Sequence, residues 1–292
     1  MTLSSHNILS LSRTDQHLVV GLRLCALLVA SIVLLVFLFL LTESWPILNH
    51  ISWSRFFTDH SWHPVQGFYN ITPMLSATLL TTLGALILAT PLGIASALFS
   101  RYYAPSFVAT WYRRLIELLA GIPSVVYGFW GLTTLAPLIA NLHPPGVSLF
   151  TAILVLALMI LPTIALTVEA ALISVPNAYH SGAVALGMSR WSMIIAIVLP
   201  AAQSGIVSGI MLGASRAIGE TMAVLMVAGN VVQHPHSVFD SVRTLTANIA
   251  LEMAYAMGDH RAALFVSGLA LMIMVLGFIS LAELFKWKSS YA

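Results

Sequence analysis

Residues 118–168 read LLAGIPSVVYGFWGLTTLAPLIANLHPPGVSLFTAILVLALMILPTIALTV, and none of them carries a formal charge. A helix crosses the bilayer core in about 20 residues, so this stretch is too long for one crossing. Asn141-Leu-His-Pro-Pro-Gly146 interrupts it with turn residues, which predicts two spans, about Leu115–Ala140 and about Val147–Val168. Neither half alternates apolar and polar residues as a strand would. Backbone groups in lipid must pair internally, so both halves are expected to be helices. The whole chain of 292 residues has the same character, being 59% hydrophobic and 8% charged with a mean hydropathy of +0.94. Soluble domains carry about 25% charged residues, so an ordinary soluble enzyme and a disordered chain are both excluded.

Outward from that stretch the charges mark the other spans. Arg23 and Glu43 enclose a first span, and Glu43-Ser-Trp-Pro46 is a poor cleavage site, so this segment is expected to stay. Met74–Phe99 is a second span with Pro91 as a kink, Leu199–Gly229 a fifth and Ala262–Leu284 a sixth. Six spans use ~120 residues and leave no room for a second large domain. With the N-terminus inside, Arg13, Arg23, Arg101, Arg113, Arg114, Arg190, Lys286 and Lys288 face the cytoplasm. Arg55, Arg243 and Arg261 face out, an imbalance that fits the positive-inside rule and puts both termini in the cytoplasm. The expected organisation is a cytoplasmic tail over residues 1–17, a first helix and outer loop over 18–71, and a core over 72–292. Val242–Met257 mixes polar and apolar residues at helical spacing, which suits a short helix lying on the outer face.

Other chemistries are absent from the pattern. Cys25 is the single cysteine and can form no intrachain disulfide. The two lysines, Lys286 and Lys288, follow no Gly-rich loop, so there is no Walker A site and the chain is expected to lack a nucleotide site of its own. A net charge of +2 does not point to nucleic acid. His60-x-x-His63 and His234-x-His236 could ligate a transition metal, but no acidic residue or cysteine completes a four-ligand set within one loop. No cofactor or metal is therefore expected. Trp45, Trp53, Trp62 and Trp111 fall near the expected interfaces and read as anchors there. Glu117 is expected to pair with Arg113 or Arg114.

Two segments carry functional signals. Between spans 4 and 5, residues 169–198 contain Ser181-Gly-Ala-Val-Ala-Leu-Gly187 and then Ile197-Val-Leu-Pro200. Small residues at Gly182, Ala183 and Ala185 predict a low-profile helix, Gly187 can end it in the left-handed conformation, and Pro200 resets the chain into span 5. Two short helices at a sharp angle make a knob that fits a partner's groove, and a plain or re-entrant connection is the alternative. The second segment is Gly213-Ala-Ser-Arg-Ala-Ile-Gly-Glu-Thr-Met222. Arg216 lies near the centre of its span, where an arginine costs roughly 2.5–3.5 kcal/mol on insertion scales. Glu220 is four residues on, so the two side chains can pair on one helix face. Either the pair is structural, or the guanidinium fork passes a tetrahedral oxyanion while Glu220 prevents a permanent trap. Gly205, Gly209 and Gly213 form a ladder for close helix packing, within the chain or against a partner. Pro123 loosens span 3, either to free carbonyls along a path or to kink it for packing.

The spacing around the knob resembles the EAA loop of ABC-importer permeases: Glu-Ala-Ala, three residues, Gly, nine residues, Ile, one residue, Leu-Pro. Gly187, Ile197, Leu199 and Pro200 fall in register. Ser181, Gly182 and Ala183 occupy the triplet, of which only Ala183 matches, and Glu169-Ala-Ala171 lies twelve residues too early. GIPSVVYGFWG (121–131) and RAIGETMAVLMVAGN (216–230) look like the phosphate-specific branch of that family, closer to its PstC than to its PstA chains. The resemblance implies an all-α, six-helix type I importer (MetI-like) permease fold in a bacterial inner membrane. It also implies a PstA-like second permease chain, PstB-like ATPase subunits docked on the loop, and an external PstS-like protein delivering phosphate. Phosphate passage by Arg216 and Glu220 is likewise what it implies. Another oxyanion such as sulfate or molybdate, or a stand-alone carrier, are the competing readings.

Overall fold

The computed structural model describes the backbone of residues 13–290 and side chains from 17 to 280. Most of the expected N-terminal tail, and the side chains of Arg13, Lys286 and Lys288, lie outside the described residues. Helix α1 (Arg13–His50) begins inside the expected tail and runs through Pro46. A short α2 (Arg55–Thr58) and a hairpin of β1 (Trp62–His63) and β2 (Phe68–Tyr69) lead to α3 (Thr72–Leu98), which opens on Pro73 and continues as a π turn to Tyr103. Proline suits the first turn because its missing N–H would have no helical acceptor there. After α4 (Ser106–Gly121), α5 (Ser124–Trp130) passes through a π turn into α6 (Ala136–Ala140). Helix α7 (Leu149–Ile173) is capped by Ser148, whose Oγ accepts the Thr151 N–H.

The second half holds α8 (Asn177–Ala185), then α9 (Arg190–Met193) running through a π turn into α10 (Leu199–Ala201). Helices α11 (Gln203–Ile218), α12 (Met222–Val227), α13 (Leu245–Glu252) and α14 (Gly258–Ser290) complete the chain. Among the described residues four helices are long and apolar enough to cross a membrane, and counting each of two bent pairs as one crossing gives up to six. Alanines on one face of α3 (Ala77, Ala85, Ala89) admit Ile153, Leu156, Ile160 and Ile164 of α7, and this interdigitation is the core of the bundle. Antiparallel α1 and α14 pack through Phe39 on Phe265 at 5.6 Å.

Several expectations are corrected. Span 3 is not one rod: α4 and the α5–α6 segment meet at 91° across Ile122-Pro123, so Leu115–Gly121 belongs to the separate α4. Pro123 caps α5, whereas Pro91 and Pro162 sit inside continuous helices. Residues 169–173, counted in the loop, extend α7, and Glu169 is buried there with the Ser100 hydroxyl donating to it at 2.9 Å. Pro200 does not reset the chain; the 71° bend falls at Ala202. Span 5 stops being helical at Glu220 and Thr221. The short helix expected within Val242–Met257 is α13, which buries Leu245, Thr246, Ala247, Asn248 and Glu252 and leaves Ala250 exposed.

Candidate functional site

Arg216 stands in the last turn of α11, half-buried, at the level of Pro162–Ile164 of α7. The glycine ladder sets that approach. A Cβ at Gly205 would fall on Ala171, one at Gly209 would meet Thr167 at 3.2 Å, and one at Gly213 would meet Ile164 at 3.0 Å. The ladder therefore packs on the chain's own α7. With the backbones this close, Arg216 Nη1 donates to Thr163 Oγ1 at 3.1 Å.

The expected Arg216–Glu220 pair does not form, because the helix that would bring the two onto one face ends between them. Gly219 closes α11, and Glu220 Oε1 instead accepts the Ala223 N–H at 3.1 Å, meeting one of the orphan donors at the start of α12. The Glu220 carbonyl, released by the break, accepts from Thr246 Oγ1 at 2.9 Å. Among the described residues the Arg216 guanidinium has Thr163 as its one hydrogen-bond partner and no carboxylate within 4.0 Å.

The far end of α12 is held by a second polar cluster that the sequence reading missed. Glu252 is buried and accepts from Arg243 Nη1 at 2.7 Å, from Trp62 Nε1 at 2.8 Å and from His260 Nε2 at 2.8 Å. Arg243 Nε also donates to the Asn230 carbonyl at 2.9 Å, and Asn230 itself has a φ of 56°. Trp62 is therefore a buried hydrogen-bond donor and not an interface anchor, while Trp45, Trp53 and Trp111 are exposed. A cavity of about 570 Å³ opens beside the cluster between the β hairpin and the segment after α12. In the loop beyond, the Ser237 and His236 N–H groups hold the Asp240 carboxyl below its ordinary range. Among the described residues no three His, Cys, Asp or Glu side chains converge in a metal-binding group.

At the opposite end, α8 stops in a Schellman turn: Met188 N–H donates to Ala183 O at 3.1 Å and Gly187 N–H to Val184 O at 3.0 Å, with Gly187 at φ +68°. Ala183 is buried beneath the helix, while Ser181, Gly182, Val184 and Leu186 face away from the chain. Ile197 and Leu199 are half-buried and Pro200 is exposed on the following helix. Arg190 Nη1 ties the turn to α3 by donating to Tyr102 O at 3.0 Å. Glu117 pairs with Arg113 at 3.0 Å on α4.

Residues 89–286 match the family described as binding-protein-dependent transport system inner membrane component. The chain belongs to that family. A probable ABC transporter permease, YqgH of Bacillus subtilis, is 38% identical over 265 residues, covering 88% of this chain and 86% of its own. The phosphate transport system permease proteins PstC of Pasteurella multocida and Haemophilus influenzae are each 34% identical. The first covers 90% of this chain and 88% of its own, the second 91% and 90%. A permease chain of a bacterial alginate ABC transporter superposes with a TM-score of 0.61 at 15% identity, covering 93% of this chain and 99% of that one. One of the MetNI methionine transporter gives 0.59 at 18%, covering 78% and 96%. The fold is that of an ABC importer permease, a multi-pass inner-membrane subunit. In this permease the matched region contains the α8 turn, Thr163, Arg216 and Glu220.

Proposed function

We propose that the chain is the phosphate-conducting permease subunit of an ATP-driven importer. One observation carries the reading: among the described residues, a guanidinium in a membrane-spanning segment has a single hydroxyl partner and no carboxylate. Burying a cation unpaired is costly, and an arriving oxyanion removes that cost with parallel N–H···O bonds. Relatives named for phosphate transport support the choice of anion. Glu220, occupied at the start of α12, leaves the guanidinium available.

The termini and the α8 turn lie on the cytoplasmic side in this reading, following the basic residues. Residues 72–292 form the core and 18–71 the first helix with its outer loop. A PstA-like chain completes the path, a PstS-like protein delivers phosphate on the Trp62 side, and PstB-like ATPases grip the exposed Ser181, Gly182 and Gly187, while Ala183, expected among the gripped residues, is buried and anchors the turn from below. Ile197, Leu199 and Pro200 carry their movement into α11. ATP-driven closure then tilts α5, α7 and α11 against the partner, opening Arg216 first to one side and then to the other.

The test is phosphate uptake in cells carrying Arg216→Ala, with assembly checked by pull-down on the partner subunits. Assembly is expected to be intact and uptake to fall about tenfold or more, the equivalent of losing one strong charge-assisted contact. Lost assembly would make Arg216 a structural residue, and unaltered uptake would remove it from the path.

A further inference from the structure

Thr163 has no role in the proposed transport path, yet among the described residues its hydroxyl is the one group that holds Arg216. Threonine hydroxyls in helices commonly donate to the carbonyl four residues back. Thr167 does so to Thr163 O at 2.8 Å, Thr78 to Met74 O at 2.8 Å and Thr81 to Ala77 O at 2.7 Å. Thr163 does not. Among the described residues its Oγ1 has Arg216 as its single partner, and it accepts in that bond. The O–H proton is thereby left uncommitted, half-buried beside a cation whose other N–H groups have no acceptor among the described residues.

We propose that Thr163 is a second donor of the Arg216 anion site: its oxygen positions the guanidinium and its proton is offered to the same oxyanion. This rests on the phosphate-permease reading. A hydroxyl can accept and donate together, so fixing the arginine costs none of its capacity to bind anion. The two donors come from different helices, α11 and α7, whose spacing at this level is set by Gly209 on Thr167 and Gly213 on Ile164. An anion held by both donors gains or loses the partner chain's contacts as α7 and α11 tilt together against it, which makes the site's strength depend on the conformation of the assembled pair. Binding that exists in one state and not the other is what a transport cycle requires.

The experiment uses the whole importer in cells, with the permease carrying Thr163→Val, Thr163→Ala or Thr163→Ser. Valine keeps the shape and removes the hydroxyl, alanine guards against a packing artefact of valine, and serine keeps the hydroxyl. Maximal phosphate uptake, the concentration giving half-maximal uptake, and assembled complex are measured together. Valine and alanine are expected to lower the maximal rate about tenfold, the worth of a hydrogen bond to a charged group. Half-saturation, set where the external binding protein loads phosphate, stays unchanged, as does assembly, and serine stays within about twofold of wild type. Serine as slow as valine, valine as fast as wild type, or a loss of uptake matched by loss of complex would each overturn the role of the hydroxyl. Wild-type cells that take up no phosphate through this importer would instead sink the functional reading on which it rests.

Discussion

Glu252 gathers the Trp62 indole N–H from 190 residues away, and the Arg243 guanidinium and His260 imidazole N–H from either side of its own helix. Removing it by Glu252→Ala leaves Arg243 with no carboxylate, and breaking a buried pair this way costs about 3 kcal/mol. The permease in detergent should unfold several degrees lower, whereas Glu117→Ala on exposed α4 should leave the transition within about 0.5 kcal/mol of wild type. Equal effects would show that the cluster is not what holds the β hairpin to α13 and α14. Sequence spacing did not reveal it: Glu252 sits in a mixed polar segment, Arg243 and His260 stand outside its helix, and Trp62 is brought to it only by the fold. Arg216 was legible because a lone charge in an apolar run is conspicuous in one dimension. Its partner was not, since Thr163 looks like any polar residue tolerated beside a proline. The pairing with Glu220 failed because four-residue spacing brings side chains together only while the helix continues.

That interruption belongs to the scale of the element. Gly219 ends α11 with φ −81°, and a methyl group there would meet nothing nearer than Ser215 O at 3.6 Å. Gly219→Ala therefore fits, and alanine favours helix over glycine by about 1 kcal/mol. Lengthening α11 would draw Glu220 away from the Ala223 N–H and into register with Arg216, so the carboxylate would compete with the anion. Phosphate uptake should fall about fivefold with the complex intact, and Gly219→Ala combined with Glu220→Gln should recover part of it. No change in uptake would mean that the break does not control the guanidinium. Apolar length counted the crossings but could not give their direction. Pro91, Pro123 and Pro162 look alike in sequence, yet only Pro123, just after Gly121 closes α4, accompanies a 91° turn. Close packing of α3 on α7 keeps the other two helices running past their prolines.

Across the whole molecule, the bundle exposes apolar surface in two different ways. Much of α1, from Leu18 to Val36, presents its side chains around the helix, as a segment surrounded by lipid does. The α8 knob instead presents a small, shaped patch: Val184 is 72% exposed and Leu186 79%, with Trp191 61% exposed on α9. Gly187 bends the chain so that Val184 and Leu186 stand clear while Ala183 anchors the helix below. A patch of this kind, away from the spans, suits insertion into a protein groove. Val184→Asp with Leu186→Asp alters no packed side chain, so the permease should accumulate in the membrane normally. Each carboxylate would have to be desolvated without a partner on docking, at about 1–3 kcal/mol apiece. Co-purification of the ATPase should therefore be lost and phosphate uptake should fall at least about tenfold. Arg190→Ala makes the complementary test. It severs the bond from the turn to Tyr102 O at the end of α3 while leaving the patch intact. If the knob passes force into the bundle through that bond, ATPase binding persists and uptake declines. If both persist unchanged, movement reaches the bundle through the helix from Arg190 to Ala201 alone.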